Sequence, residues 1–255
     1  MTNVTSIPSY HHLGSALSEH RVTGKRAAGN FYAGIAIVVF GVIGIIAGTA
    51  VSQGDSSLFL ICGGVSLLFI TGGAYSIWQS RRERDLAILT FQDGLVYIHG
   101  GKTETMRWDD IEKVYMSVIN NRNLRMMDYS YRIEGKDGNK INFTWNDQAL
   151  QNMQQLSDTI QREVTRRLLP PAIASYNAGG TVSFGALLVS RQGLSNGKEN
   201  IPWEEVEEVQ LNNGIVTVRK KGKWLNWSSV TVGGTPNIYV FLRMIDEIVG
   251  VNRPK

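Results

Sequence analysis

Between Arg26 and Asp55, and again between Asp55 and Arg81, the chain carries no charged residue. Inside those windows lie two apolar runs, Phe31–Val51 and Leu58–Trp78, each of 21 residues. A helix rising ~1.5 Å per residue spans ~30 Å at that length, the hydrocarbon thickness of a bilayer. Neither run shows an amphipathic stripe, and a helix apolar all round must be wholly buried. Core helices are usually shorter and carry polar residues on one face, so two transmembrane helices are expected.

The polar connector Ser52–Ser57 is too short for anything but an antiparallel hairpin. Arg21, Lys25 and Arg26 precede the first run, Arg81, Arg82 and Arg84 follow the second, and the connector has no Lys or Arg. The positive-inside rule then predicts a multi-pass protein of the plasma membrane with both termini cytoplasmic. A signal peptide is a poor fit, because the first run is too long and a second one follows. Gly44 and Gly48 form a GxxxG, expected to pack the two helices, or two copies of the hairpin, closely together. Composition excludes a disordered chain and a many-span transporter: 43% of residues are hydrophobic, 19% are charged, and the net charge is only +4. The single cysteine, Cys62, excludes an intramolecular disulfide and any CxxC metal motif.

After Arg84 two stretches resemble one another. Gly94-Leu95 is followed by Trp108-Asp-Asp-Ile-Glu-Lys-Val114, and Gly193-Leu194 by Trp203-Glu-Glu-Val-Glu-Glu-Val209. Strands are predicted at Leu86–Phe91, Leu95–His99, Ile111–Val118, Tyr129–Glu134 and Lys140–Trp145, with a turn at Lys136-Asp137-Gly138. Ala149, Met153, Leu156, Ile160, Val164 and Leu168 then form one face of a helix that Pro170-Pro171 should end. In the second stretch strands are predicted at Thr181–Ser190, Glu205–Leu211, Ile215–Lys220 and Trp224–Val230, with turns at Asn213-Gly214 and Lys221-Gly222. A closing helix follows Thr235-Pro236. The expected fold class is α+β: a two-helix transmembrane hairpin, then two tandem antiparallel β units, each closed by a C-terminal helix. The expected divisions are a cytoplasmic tail over 1–30, a hairpin over 31–78, and units over 85–170 and 180–250.

The order Gly-Leu, Trp-acidic-acidic-Ile/Val and terminal helix resembles the bacterial pleckstrin-homology-like (PH-like) domain. The whole arrangement over about residues 30–250 is similar to the DUF6585 family of bacterial membrane proteins. That resemblance implies a membrane-attached binding or scaffolding module and supplies no catalytic positions.

Gly94, Trp108, Gly193 and Trp203 are read as structural, each ring packing into its unit's core. Asp109-Asp110 and Glu204-Glu205 are candidate metal ligands, but neighbouring carboxylates on a strand would point to opposite faces, and a solvated turn is the preferred reading. Arg166-Arg167 is read as a partner of the helix dipole near the predicted helix end. The dense basic cluster Arg219, Lys220, Lys221 and Lys223 falls at a predicted hairpin tip, where anionic lipid headgroups are the candidate ligand. His11, His12 and His20 are read as belonging to a flexible polar tail. No catalytic fingerprint with its required context occurs. The reading is therefore a non-catalytic binding or scaffolding protein without cofactor or metal. Its expected partners are the lipid bilayer, anionic headgroups, and a second copy or another membrane protein; nothing points to nucleic acid. Two alternatives stay open: an anionic-lipid sensor, and an enzyme whose site carries no familiar motif.

Overall fold

The structure is a computed structural model and describes residues 11–22, 24–52, 56–122 and 125–248. It is α+β, with four α-helices and several antiparallel sheets among those residues.

The two apolar runs are helices, α1 (Gly24–Ser52) and α2 (Ser56–Arg84). Each is long and apolar enough to cross a membrane, over Gly29–Val51 and Leu60–Glu83. Only 17% and 11% of the residues in their most apolar windows are buried, so neither is the core helix of a globular domain. They pack on each other through small residues. A Cβ added to Gly41 would lie 2.9 Å from the Ser66 carbonyl oxygen, and one added to Gly73 would lie 2.8 Å from the Gly34 carbonyl oxygen.

The segment before the hairpin is not the flexible tail expected over 1–30. Residues 1–10 lie outside the described residues, but Ala16–Arg21 is a strand, β1, antiparallel to β2 (Ala87–Phe91) with Arg21 opposite Ala87. The helical hairpin is thus inserted between two neighbouring strands of one sheet. The sheet continues through β3 (Gly94–His99) and β4 (Lys102–Arg107) in the order β1-β2-β3-β4. A 3-10 turn, Trp108–Asp110, leads into a second sheet of β5 (Ile111–Asn121), β6 (Met126–Gly135) and β7 (Lys140–Asn146). Trp108, Ile88, Leu95, Ile133, Leu156 and Ile160 are among the side chains filling the core between these sheets and the next helix.

That helix, α3 (Met153–Asn177), runs through Pro170 and Pro171 instead of ending there. Each proline forfeits a backbone hydrogen bond. The helix continues because Leu169, Ala172, Ile173 and Tyr176 pack into a second core. The boundary expected at 170 therefore falls inside a helix that packs into both cores.

The second unit follows the same order of elements. The strand expected over Thr181–Ser190 is split at Gly185 (φ +72°) into β8 (Val182–Phe184) and β9 (Leu187–Ser190). With β10 (Gly193–Ser195) and β11 (Asn200–Ile201) they form a four-stranded sheet. A 3-10 turn over Trp203–Glu205 leads to the three-stranded sheet of β12 (Val206–Asn212), β13 (Ile215–Lys220) and β14 (Asn226–Thr231). The closing helix is α4 (Ile238–Ile248). The β8–β9 hairpin stands where the first unit has β1, the helical hairpin and β2. The units meet where the Asn237 side chain accepts from Val114 N–H at 2.9 Å and donates to the Glu112 carbonyl at 2.8 Å.

Candidate functional site

Strand alternation gives the first unit two ends. At the hairpin end lie the start of β2, the β3–β4 turn, the β5–β6 tip and the β7–α3 connection. The Arg82 guanidinium packs against Gly100 in the β3–β4 turn. The His99 and Trp145 rings meet edge-on at 5.6 Å, and Gln151 N–H donates to the Arg21 carbonyl. At the opposite end lie the Trp108 turn and the Lys136-Asp137-Gly138 turn, where Lys136 N–H donates to the Asp110 carbonyl.

α3 runs from the hairpin end to the opposite end, where Arg167 Nε binds Asp109 at 2.7 Å, and then beyond it. At its far terminus the Asn177 carbonyl accepts from Arg191. Trp203 Nε1 donates to Ser190 at 2.9 Å beside it, and Lys221 N–H donates to the Glu205 carbonyl. This chain of contacts carries the β13–β14 tip, with its basic cluster, to the end of the molecule away from α1 and α2.

The cluster is also less basic than its sequence. Arg219 binds Glu208 at 2.8 Å and Lys220 binds Glu205 at 2.5 Å. Lys221 and Lys223 make no ion pair among the described residues. Beside them Trp224 is 93% exposed and Leu225 83%, unlike the polar Lys136–Gly138 turn that holds the same place in the first unit.

The Trp and Gly positions act structurally. Trp108 is fully buried and its indole N–H donates to the Phe91 carbonyl at 3.0 Å. Trp203, partly exposed, makes the equivalent bond. A Cβ on Gly94 would fall 2.5 Å from the Met106 carbonyl oxygen, and one on Gly193 (φ +147°) only 1.9 Å from that of Ile201. Both glycines admit a neighbouring strand that any side chain would push away. Gly44 and Gly48 lie in the α1–α2 interface, facing Ser66 and Cys62, whereas Gly63, Gly64 and Gly72 face open space.

The acidic pairs lie on 3-10 turns. Asp109 is used by Arg167, which is a mid-helix clamp rather than a helix-end dipole partner. Arg167 also binds Glu163 at 2.6 Å, and Arg166 binds it at 2.8 Å. Burial pushes the Glu163 carboxyl up, but hydrogen bonds and charge from Arg167 and Arg166 outweigh it and hold it below the ordinary carboxylate value. His20 is fully buried, contrary to its expected place in a flexible tail. Its Nδ1–H donates to the Gln151 carbonyl at 3.0 Å, and Nε2 accepts from Ser18 at 2.7 Å. Burial lowers its pKa, against the raising effect of hydrogen bonds to the backbone at Gln151 and Asn152.

No group of His, Cys, Asp or Glu suited to a metal ion occurs among the described residues. A groove of about 480 Å³ beside α3 and α4 is lined by Asp158, Arg162, Arg166, Tyr239 and Arg243 among others. Two of its arginines already lean on Glu163. Sequence reasoning missed Arg122 and Arg125 at the β5–β6 tip, because two arginines spread over Asn-Arg-Asn-Leu-Arg form no dense cluster. Only the fold brings them to the hairpin end of the first unit.

The model of the family of unknown function DUF6585 matches residues 5–254. No curated protein and no solved structure matches the chain.

Proposed function

The chain belongs to the DUF6585 family, whose function is unknown, and from that premise we propose that it is a membrane-anchored, non-catalytic scaffold with two tandem PH-like units. In this reading α1 and α2 cross the plasma membrane twice and both termini lie in the cytoplasm. One observation carries it: β1 and β2 pair directly across the inserted hairpin. An anchor joined by a loose linker would hold a domain near the bilayer in any pose. An anchor rooted in two paired strands gives the first unit one pose, and α3 passes that pose to the second. Seven strands in sheets of four and three, closed by a helix, support the PH-like assignment of each unit.

The distal tip is the face this scaffold offers to a protein partner, either a second copy or another membrane protein. Trp224 and Leu225 supply apolar area there, and Lys221 and Lys223 supply charge. Its position away from the anchor disfavours sensing of headgroups in the same bilayer through Lys221 and Lys223. Confinement to the membrane raises the local concentration of such a tip, so weak contacts suffice.

The test is crosslinking of the full chain in intact membranes, alongside reporter fusions at the C-terminus. The expected result is a discrete crosslinked species that Trp224→Ala/Leu225→Ala removes, with a C-terminal reporter active only in the cytoplasm. A crosslinking pattern unchanged by the variant would refute the tip, and a reporter active only outside the cytoplasm would refute the orientation.

A further inference from the structure

The basic cluster most conspicuous in the sequence faces away from the helical hairpin, which raises the question of what faces towards it. The β5–β6 tip does. Its strands pass Trp145, opposite Tyr129 and against His99, and run on to the pair Asn121–Met126. Three residues at ~3.3 Å each carry the tip about 10 Å past that ring contact, on the side where α1 enters and α2 leaves. Arg122 and Arg125 are exposed there and pair with no carboxylate among the described residues. Ile119, just behind them, is 60% exposed. On the same end, Arg82 stacks over Trp78 at 4.7 Å, where α2 passes from apolar to charged sequence.

We infer that the β5–β6 tip is a headgroup-contact site: Arg122 and Arg125 bind the anionic lipid phosphates of the bilayer that α1 and α2 cross. This rests on the membrane-anchored reading above. The chemistry fits. Guanidinium groups bind phosphate oxygens bidentately. Continuity with the anchor fits as well, because the hairpin leaves the same end of the same unit and the tip meets the lipid with no domain motion. The contact fixes the tilt of the first unit, and through α3 the direction in which the distal tip is presented. Such a site responds to the anionic lipid content of the membrane without any groove to hold a ligand.

The experiment is hydrogen exchange on the full chain in nanodiscs of phosphatidylcholine alone or with about one third phosphatidylserine. Amides around Arg122 and Arg125 are expected to exchange about fivefold more slowly in the anionic discs, since each surface-proximal cation contributes a factor of that order. Arg122→Glu/Arg125→Glu removes that difference, Arg122→Lys/Arg125→Lys keeps most of it, and Lys221→Glu/Lys223→Glu leaves it intact. Equal exchange in the two discs, or loss of protection in the distal variant alone, overturns the inference. Alkaline washing of vesicles tests the anchor separately. A retained chain with a lipid-insensitive tip defeats only this site, whereas a chain stripped by alkali defeats the anchor and the site together.

Discussion

The indole N–H of Trp108 donates to the carbonyl of Phe91, tying the turn between the two sheets of the first unit to the end of its second strand. Trp203 makes the same bond to Ser190 in the second unit. A buried indole placed this way fills the core and satisfies a strand-end carbonyl in one step. Trp108→Phe keeps most of the ring and removes the donor, and should cost about 1–3 kcal/mol of unfolding free energy. Trp108→Ala should cost about 3–5 kcal/mol, and Trp203→Ala less, because Trp203 is partly exposed. Denaturant unfolding of the full chain in detergent measures the order; a Trp203→Ala loss exceeding that of Trp108→Ala would contradict it.

Gly193 and Gly94 carry a second prediction. Gly193→Ala places a Cβ 1.9 Å from the Ile201 carbonyl oxygen at a φ of +147°, so β10 and β11 must separate. The expected loss is about 2–4 kcal/mol, and Gly94→Ala should follow close behind. Unchanged melting temperatures in both variants would show that the close strand approach has slack.

Within the helical hairpin, glycines divide by what they face. Gly41→Leu drives a side chain into Ser66 and Ile70 and should disrupt α1–α2 packing. Gly63→Ala, Gly64→Ala and Gly72→Ala meet nothing within 4 Å and should leave the hairpin intact. Disulfide trapping between cysteines introduced at facing positions on α1 and α2 reads the difference. Loss of a dimer in the Gly63 or Gly72 variants alone would assign that face to contact between copies.

His20 makes the β1–β2 pairing sensitive to pH. Its pKa in the fold lies below the ordinary 6.5, so the unfolded chain takes up the proton first. Stability from this group is complete above about pH 6.5 and falls as pH drops below it. Protonation also turns Nε2 into a donor, and the Ser18 hydroxyl must reverse towards Thr90. His20→Gln should flatten stability between about pH 7 and pH 5 relative to the wild type. Parallel slopes in the two proteins would exclude His20 as the cause.

Glu163 adds a second loss of stability in acid, at lower pH than that of His20. Its pKa is depressed in the fold, so the stability it contributes is present above the ordinary value of 4.5 and is lost as pH falls through the lower folded value. Glu163→Gln removes the partner of Arg166 and Arg167 and should loosen the α3 clamp on Asp109, by about 1–2 kcal/mol at neutral pH. Unfolding at pH 7 and below pH 4 should show that difference shrinking in acid.

The strands that could be read from the sequence were those with apolar alternation or turn residues at both ends, such as Leu95–His99 and Lys140–Trp145. The pattern fails for Lys102–Arg107, a strand with a single buried side chain, Met106. It fails for Ala16–Arg21, whose Ser18 and His20 are polar yet satisfied inside the sheet by Thr90 and the Gln151 carbonyl. Pro170-Pro171 misled for a related reason. A helix-breaking signal is local, while the apolar contacts of Ala172, Ile173 and Tyr176 that sustain α3 come from a unit later in the chain.

The sequence by itself determined the two long apolar helices, the matching Gly-Leu and Trp-acidic segments, and the tight turns at Gly138, Gly214 and Gly222. Each depends on residues close along the chain. Only the tertiary structure decided that the hairpin is inserted between two paired strands, that Arg219 and Lys220 are neutralised by glutamates on a neighbouring strand and turn, and which tip faces which way. Orientation and pairing depend on residues brought together from far along the chain, and charge counted along a sequence does not record which carboxylate it meets or which end of a domain it occupies.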